Sequence, residues 1–440
     1  MFCGDTLAVH DVFGLLGPSA NYFCRICQIS RDEFHSNPSS ESDLRNREWY
    51  DKHLEAVQSK LISPKECGLK LSGCILNELS YFHITDNFNL DGMHDLAEGV
   101  VPLALQLVMA HYYKRKDLKI NIQFINNRIK TFAYGYTDRH NKPSANFTHG
   151  MLTNPNKHKL KQTSAQILLL LRSFPFLFGH IVPPDCEMMV MVGHLINIVR
   201  IVFSPVVSQH LIYQLQEHLY YFEQTFFSTF QRRINKMHHL KHYALCIQKS
   251  GAMKQYNCMQ FEQTNKVAKN QASTCKNFKN ICHSLAKRQC TRMILNILDN
   301  PFCDKLVFTS VKIVVRNKCL SASLLEPTIE HVHVPKTAIM NGIEFRTNGV
   351  VALSRHDDNV FPAYGVIKEI LIIDGKMHFL LELVETVCYN EFYEAYEVNT
   401  LHDNELFSSD SCFTHTVFSF WSPYGCLKKY VSRRFYNRDY

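Results

Sequence analysis

Apolar positions recur at helical spacing over most of the first three hundred residues. After a polar turn at Asn87–Asn89, Met93, Leu96, Val100, Leu103 and Leu107 fall three or four apart, which predicts a helix with one buried face. Comparable runs cover Ser164–Phe178, 187–203 and 209–247, and a further helix is predicted at about Trp49–Leu61. Between 260 and 292, Phe261, Ala268, Ala272, Cys275, Cys282 and Leu285 share one predicted helical face. The charge-rich opening of 31–70 reads as a loop, and a second polar, basic segment, Arg139–Lys161, precedes the run from Ser164. After about residue 325 the pattern changes. Short β-branched and aromatic runs at 343–357, 363–374, 375–388 and 394–401 are separated by Gly, Asp and Asn turns. The expected fold class is α+β and mostly helical, with one region over 1–325 and a small antiparallel β domain over 326–440. No repeat at a solenoid period is present.

Composition narrows the class. With 46% apolar and 20% charged residues, the 440-residue chain is globular in character and long enough for two or three domains. Sixteen cysteines spread over this length point to reduced thiols and not to a disulfide scaffold. The opening MFCGDTLAVHD has no basic stretch followed by an apolar run, so no secretory signal is expected. The apolar stretches Ile167–Leu171 and Met188–Val192 fall well short of the roughly 20 residues that span a bilayer. A soluble intracellular protein without a membrane partner is expected.

Charge is uneven. The chain carries +8 overall, but Phe230–Met293 holds thirteen basic residues and a single acid, Glu262. That window is +12 and leaves −4 for everything else. Such a field attracts polyanions, nucleic acid first among them, and the alternative is a solvated helical surface. A carboxylate set beside bound phosphates makes sense chiefly when a divalent metal lies between them.

Four groups of residues have chemistry to offer. Cys24 and Cys27 form a C-x-x-C pair, a spacing at which one turn aims two sulfurs at a tetrahedral centre. His238 and His242, four apart, would share a helical face and complete a Cys2His2 set; surface histidines are the alternative. Asp5 follows a glycine and by itself reads as a turn or helix cap. Asp91 and His94, with Asp95, open an apolar helix, where Asp91 is most simply its cap. The fourth is Glu262. Walker-type, GxGxxG, HExxH and GxSxG signatures are absent.

The order of these motifs resembles a family. GDTLAVHDVFGLLG, then YFCRIC, then LDGMHDLAEGVVPLAL resemble the catalytic region of CACTA (En/Spm-like) DNA transposases. QTSAQILLLLRSFPFLFGHIVP, KMHHLKHYALCI and the run from Met259 to Gln289 follow in the same order. The spacing is more distantly similar to the catalytic subunit of the V(D)J recombinase. The resemblance implies an RNase H-like core with a large helical insertion and an Asp-Asp-Glu triad holding Mg²⁺ or Mn²⁺. In this chain Asp5 would be the second aspartate and Glu262 the glutamate. Cys24, Cys27, His238 and His242 would hold a structural zinc, and Asp91 and His94 would be accessory. Lys236, Lys241, Lys254, Lys266, Lys269, Lys276 and Lys279 would contact the DNA backbone. The resemblance also implies a homodimer and a nuclear location.

Three departures shape the expectation. Met1 stands four residues before Asp5, so the opening strand and first aspartate of the family are missing and the RNase H-like core is partial. The family's histidine pair would begin at Met237, which makes His238 a shifted substitute. Lys266 occupies the place of a histidine usual after the glutamate. The function expected is a transposase-derived DNA-binding protein with impaired catalysis. The alternatives are an active transposase represented by a shortened sequence and a zinc-stabilised helical interaction module.

Overall fold

Among the described residues, fourteen α-helices precede the first strand. The computed structural model describes residues 3–36, 42–276, 278–298, 306–353 and 361–435. Residues 37–41 of the predicted loop and 354–357 of the first predicted strand run lie outside them. Helices α1 (Thr6–Val12), α2 (Arg31–Ser36), α3 (Arg47–Gln58) and α4 (Pro64–Cys67) lead to a π-helix, Met93–Val100, that runs directly into α5 (Val101–Lys114). Then follow α6 (Ile122–Thr131), α7 (His149–Thr153), α8 (Ser164–Phe178), α9 (Glu187–Val202) and α10 (Gln209–Phe230). The last four are α11 (Asn235–Leu240), α12 (Tyr243–Ser250), α13 (Cys258–Cys275) and α14 (Ile281–Leu298).

Burial follows composition. Helix α9 is largely apolar, thirteen of its sixteen residues are buried, and it packs against α5, α8 and α10. Each such Val, Leu, Ile or Met contributes roughly 1.5–3 kcal/mol. Helix α8 starts at a capping box, Thr163 with Gln166, and buries eleven residues from Ile167 to Phe178. With the turn after it, Ser164–Ile181, it is long and apolar enough to cross a membrane, and 67% of that stretch is buried inside the protein.

The predicted helix over 260–292 is two helices. Lys276 and Asn280 adopt left-handed backbone angles, φ 49° and 53°, which end α13 and turn the chain into α14. The expected apolar face does not become core either. Phe261 is 62% exposed, Cys275 and Cys282 are exposed, and of α13 only Cys258 is buried. The pair forms an outward hairpin with seven basic residues and one acid between Cys258 and Leu298.

Twelve strands follow among the described residues, from β1 (Leu306–Thr309) to β12 (Lys429–Val431), and every pairing is antiparallel. The long members are β7 (Tyr364–Ile373), β8 (Lys376–Asn390) and β9 (Ala395–Ser408). They form the middle of a sheet ordered β10-β6-β7-β8-β9-β12-β11, flanked by a three-stranded sheet β1-β4-β5. Here β4 is Thr337–Met340, β5 Ile343–Arg346, β6 Val350–Leu353, β10 Cys412–Phe418 and β11 Phe420–Trp421. Strands begin at Leu306, upstream of the expected boundary at 326. The β region is also not separate from the helices: Tyr134, Leu169 and Phe176 share a buried cluster with Ala395, Trp421 and Tyr430. The Trp421 indole N–H donates to the Tyr134 carbonyl at 3.2 Å.

The fold is thus α+β, with a C-terminal antiparallel sheet. Among the described residues before Leu306 there is no strand, only the isolated bridges Leu15–Leu69 and Cys27–Leu44. The expected partial RNase H sheet gains no strand there.

Candidate metal centre

Cys24 and Cys27 lie on a tight turn between α1 and α2, closed by hydrogen bonds onto sulfur. The N–H groups of Ile26 and Cys27 donate to Cys24 Sγ at 3.3 and 3.5 Å. The turn is tied from behind, because Arg45 donates through Nε to the Cys27 carbonyl at 3.0 Å and through its backbone N–H to the Ile26 carbonyl at 2.8 Å. Across the cluster, His238 lies in the last turn of α11 and His242 caps α12. The single helical face expected for the pair is therefore interrupted by a bend at Lys241–His242, yet both imidazoles still arrive. Cys27 Sγ is 3.2 Å from His238 Nε2, Cys24 Sγ is 3.5 Å from His242 Nε2, and the two Nε2 atoms are 3.1 Å apart.

These separations suit one tetrahedral ion. Bonds of about 2.0–2.3 Å to nitrogen and sulfur give tetrahedral edges of about 3.3–3.8 Å. All four ligand atoms lie within 4.8 Å of one another. Burial lowers the affinity of His238 for a proton, leaving a neutral ring with a lone pair to offer. Burial pushes the Cys24 thiol up, but the hydrogen bond from Cys27 and the two imidazoles outweigh it and hold Cys24 well below its usual value. His238 is clamped edge-on between Phe23 and Phe34, with ring centroids at 5.4 and 5.5 Å. Met237, at the place of the resembled family's histidine, is buried apolar core, so the shifted His238 is the one that reaches the sulfurs.

Directly behind lies a buried pair that motif reading passed over. His239 Nδ1 is 2.9 Å from Asp95 Oδ1, and the Tyr243 hydroxyl donates to Asp95 Oδ2 at 3.4 Å. The signal was present as a third histidine in KMHHLKH, but no spacing rule picked it out.

A second cluster gathers Asp91, His94 and Glu262. Asp91 Oδ2 accepts the His94 backbone N–H at 3.1 Å and lies 2.5 Å from His94 Nδ1, while Oδ1 accepts the Cys258 N–H at 2.8 Å. One carboxylate thus accepts a backbone N–H from the first turn of both the π-helix and α13. The hydrogen bond that the ring donates to Asp91, with a further one to Cys258, raises the His94 pKa to about 10. On the other ring nitrogen, Nε2 stands 3.7 Å from Glu262 Oε1, whose side chain is half exposed. Asp5 does not join this contact. It stands exposed before α1 without a side-chain cap bond, and lines a groove with Glu98, Arg232, Lys236 and His239.

The seven lysines divide. Lys236 Nζ donates to the His94 carbonyl at 2.6 Å, Lys241 pairs with Glu223 at 3.5 Å, and Lys254 is half-buried over the Phe435 ring. Lys266, Lys269, Lys276 and Lys279 are exposed on the hairpin. No protein-family model matches the chain, and no curated protein matches it.

Proposed function

We propose that the protein is a transposase-derived DNA-binding protein whose helical region is fastened by a structural zinc held by Cys24, Cys27, His238 and His242. The observation that carries the DNA reading is the α13–α14 hairpin. It is exposed along its length and strongly basic, and its first turns hold Glu262 beside the Asp91–His94 pair. A surface of this kind gains affinity by displacing counterions from the phosphate backbone. The partial RNase H-like ancestry, nuclear location and homodimer belong to the same reading and rest on analogy.

Cleavage chemistry is impaired in this reading. Two-metal catalysis needs carboxylates that share ions. Glu262 and Asp91 instead sit on opposite nitrogens of one imidazole, too far apart to chelate one ion together. If Asp5 and Glu262 do hold Mg²⁺ or Mn²⁺, wild-type protein will nick DNA in a metal-dependent manner and Glu262→Gln will not; that result would favour an active transposase. The expected result is no nicking by either.

For binding, the apparent affinity for duplex DNA should fall steeply between about 50 and 200 mM salt. Lys266→Glu combined with Lys269→Glu should weaken it by about tenfold or more, and should reduce the salt slope by about one for each phosphate left without its lysine. Fluorescence anisotropy over a salt series checks both. Salt-independent or undetectable binding would leave the interaction-module reading in place.

A further inference from the structure

We propose that Cys3, Asp91 and Cys258 form a second metal site, for a thiolate-preferring divalent ion of the zinc class. Ligand atoms of the three lie within 4.8 Å of one another. Asp91 and Cys258 are buried, 2% and 8% exposed, whereas Cys3 is partly exposed and offers the way in. Two sulfurs and one carboxylate form a mixed set that zinc accepts readily and that magnesium and calcium, which take oxygen ligands, do not. Water would fill the fourth position.

The surroundings are those of a ligand set held in place. The Asp91 carboxylate is fixed by the Cys258 N–H at 2.8 Å and by His94 at 2.5 Å, which orients it and leaves a lone pair for an ion. Cys258 opens α13 and is fixed there by the bond from its backbone N–H to Asp91, so its sulfur is held beside the carboxylate. Cys3 is brought alongside from the start of the chain, its sulfur 3.6 Å from the Leu90 carbonyl. Helix α13 already has its own cap, Asn257, which accepts the Met259 N–H at 3.1 Å, and capping gives no reason for two thiols and a carboxylate to meet there. Binding converts both thiols to thiolates and releases two protons; no oxidant or reductant takes part.

An ion here fastens two segments to Asp91. Cys3 is two residues before Asp5, and Glu262 is about one helical turn beyond Cys258 on α13. The site stands without the DNA reading, and only its consequence for Asp5 and Glu262 rests on that reading.

Full-length protein reconstituted with Zn²⁺ under a thiol-free reductant, desalted and counted by atomic emission tests the site. The expected content is two ions per chain, falling to one in Cys258→Ser and in Cys3→Ser. Co²⁺ substitution should lose about half its sulfur-to-cobalt absorption in either variant. One ion in the wild type, unchanged in both variants, overturns the second site and leaves the Cys24 cluster standing. One ion that is lost in both variants but kept in Cys24→Ser supports the second site and overturns the first. No bound ion overturns both. Should Cys258→Ser fail to fold, Cys3→Ser at the partly exposed ligand decides.

Discussion

Cys24→Ser should unfold the helical region at a much lower temperature than the wild type, and a strong chelator should do the same to the wild type. The reason is topological. Cys27 and His238 are 211 positions apart, so an ion joining the two pairs closes a very long loop. The chain-entropy estimate for a cross-link of that length is about 5 kcal/mol. Whole domains are stable by roughly 5–15 kcal/mol, so this one fastening decides whether the helical core persists at physiological temperature. Without it, the buried Cys24, Cys27 and His238 also lose the partner that makes their burial tolerable. The strands from Leu306 onward have buried clusters of their own but share one with the helices, so the sheet should lose part of its support in the same transition. Circular dichroism melts with and without chelator measure this. Equal melting of wild type, chelated wild type and Cys24→Ser would remove the zinc from the structure.

The Cys2His2 set was legible in the sequence because each pair keeps a local spacing, C-x-x-C and i, i+4, that survives any packing of the chain between them. What spacing could not give was the bend at Lys241–His242, since two turns of amphipathic pattern look alike whether or not the helix is continuous. The same blindness merged α13 with α14. Lys276 carries no turn signature, and Asn280, which tolerates left-handed angles, does not by itself outweigh the periodicity around it. Charge counting found the basic window correctly but treated its members as equal. Lys236 spends its ammonium on the π-helix carbonyls, which only the tertiary structure reveals. The early strands were missed because β1 (Leu306–Thr309) and β2 (Lys312–Val315) are four residues each, too short to show a period.

Least legible of all was the polar joint between the helices and the sheet, and there the second large effect is expected: Arg200→Met should cost about 3–5 kcal/mol. Arg200 lies near the end of a largely apolar helix and reads as a misplaced surface residue, yet it is only 4% exposed. Its guanidinium donates to Glu394 Oε2 at 3.2 Å and to the Glu394 carbonyl, to the Tyr389 hydroxyl at 3.2 Å, and to the Arg433 carbonyl at 3.2 Å. Three segments of the β region thus depend on one side chain of α9. Methionine fills similar volume but removes the guanidinium donors from those acceptors and leaves Glu394 charged in a buried site with the Tyr389 hydroxyl donating to it. Burial already pushes the Glu394 carboxyl up, and Arg200 is the main influence pulling it down. In the variant its folded pKa rises further above the unfolded value of about 4.3. A carboxyl raised in this way contributes stability that is fully present below the unfolded value and lost as pH climbs through the folded one. The loss in Arg200→Met should therefore be largest at neutral and higher pH and shrink as pH falls toward about 5. Adding Glu394→Gln should recover part of it at neutral pH, since the glutamine carries no charge to strand. Urea unfolding of the three proteins across this range measures the effect. A loss that is flat with pH and untouched by Glu394→Gln would show that Arg200 acts through packing alone.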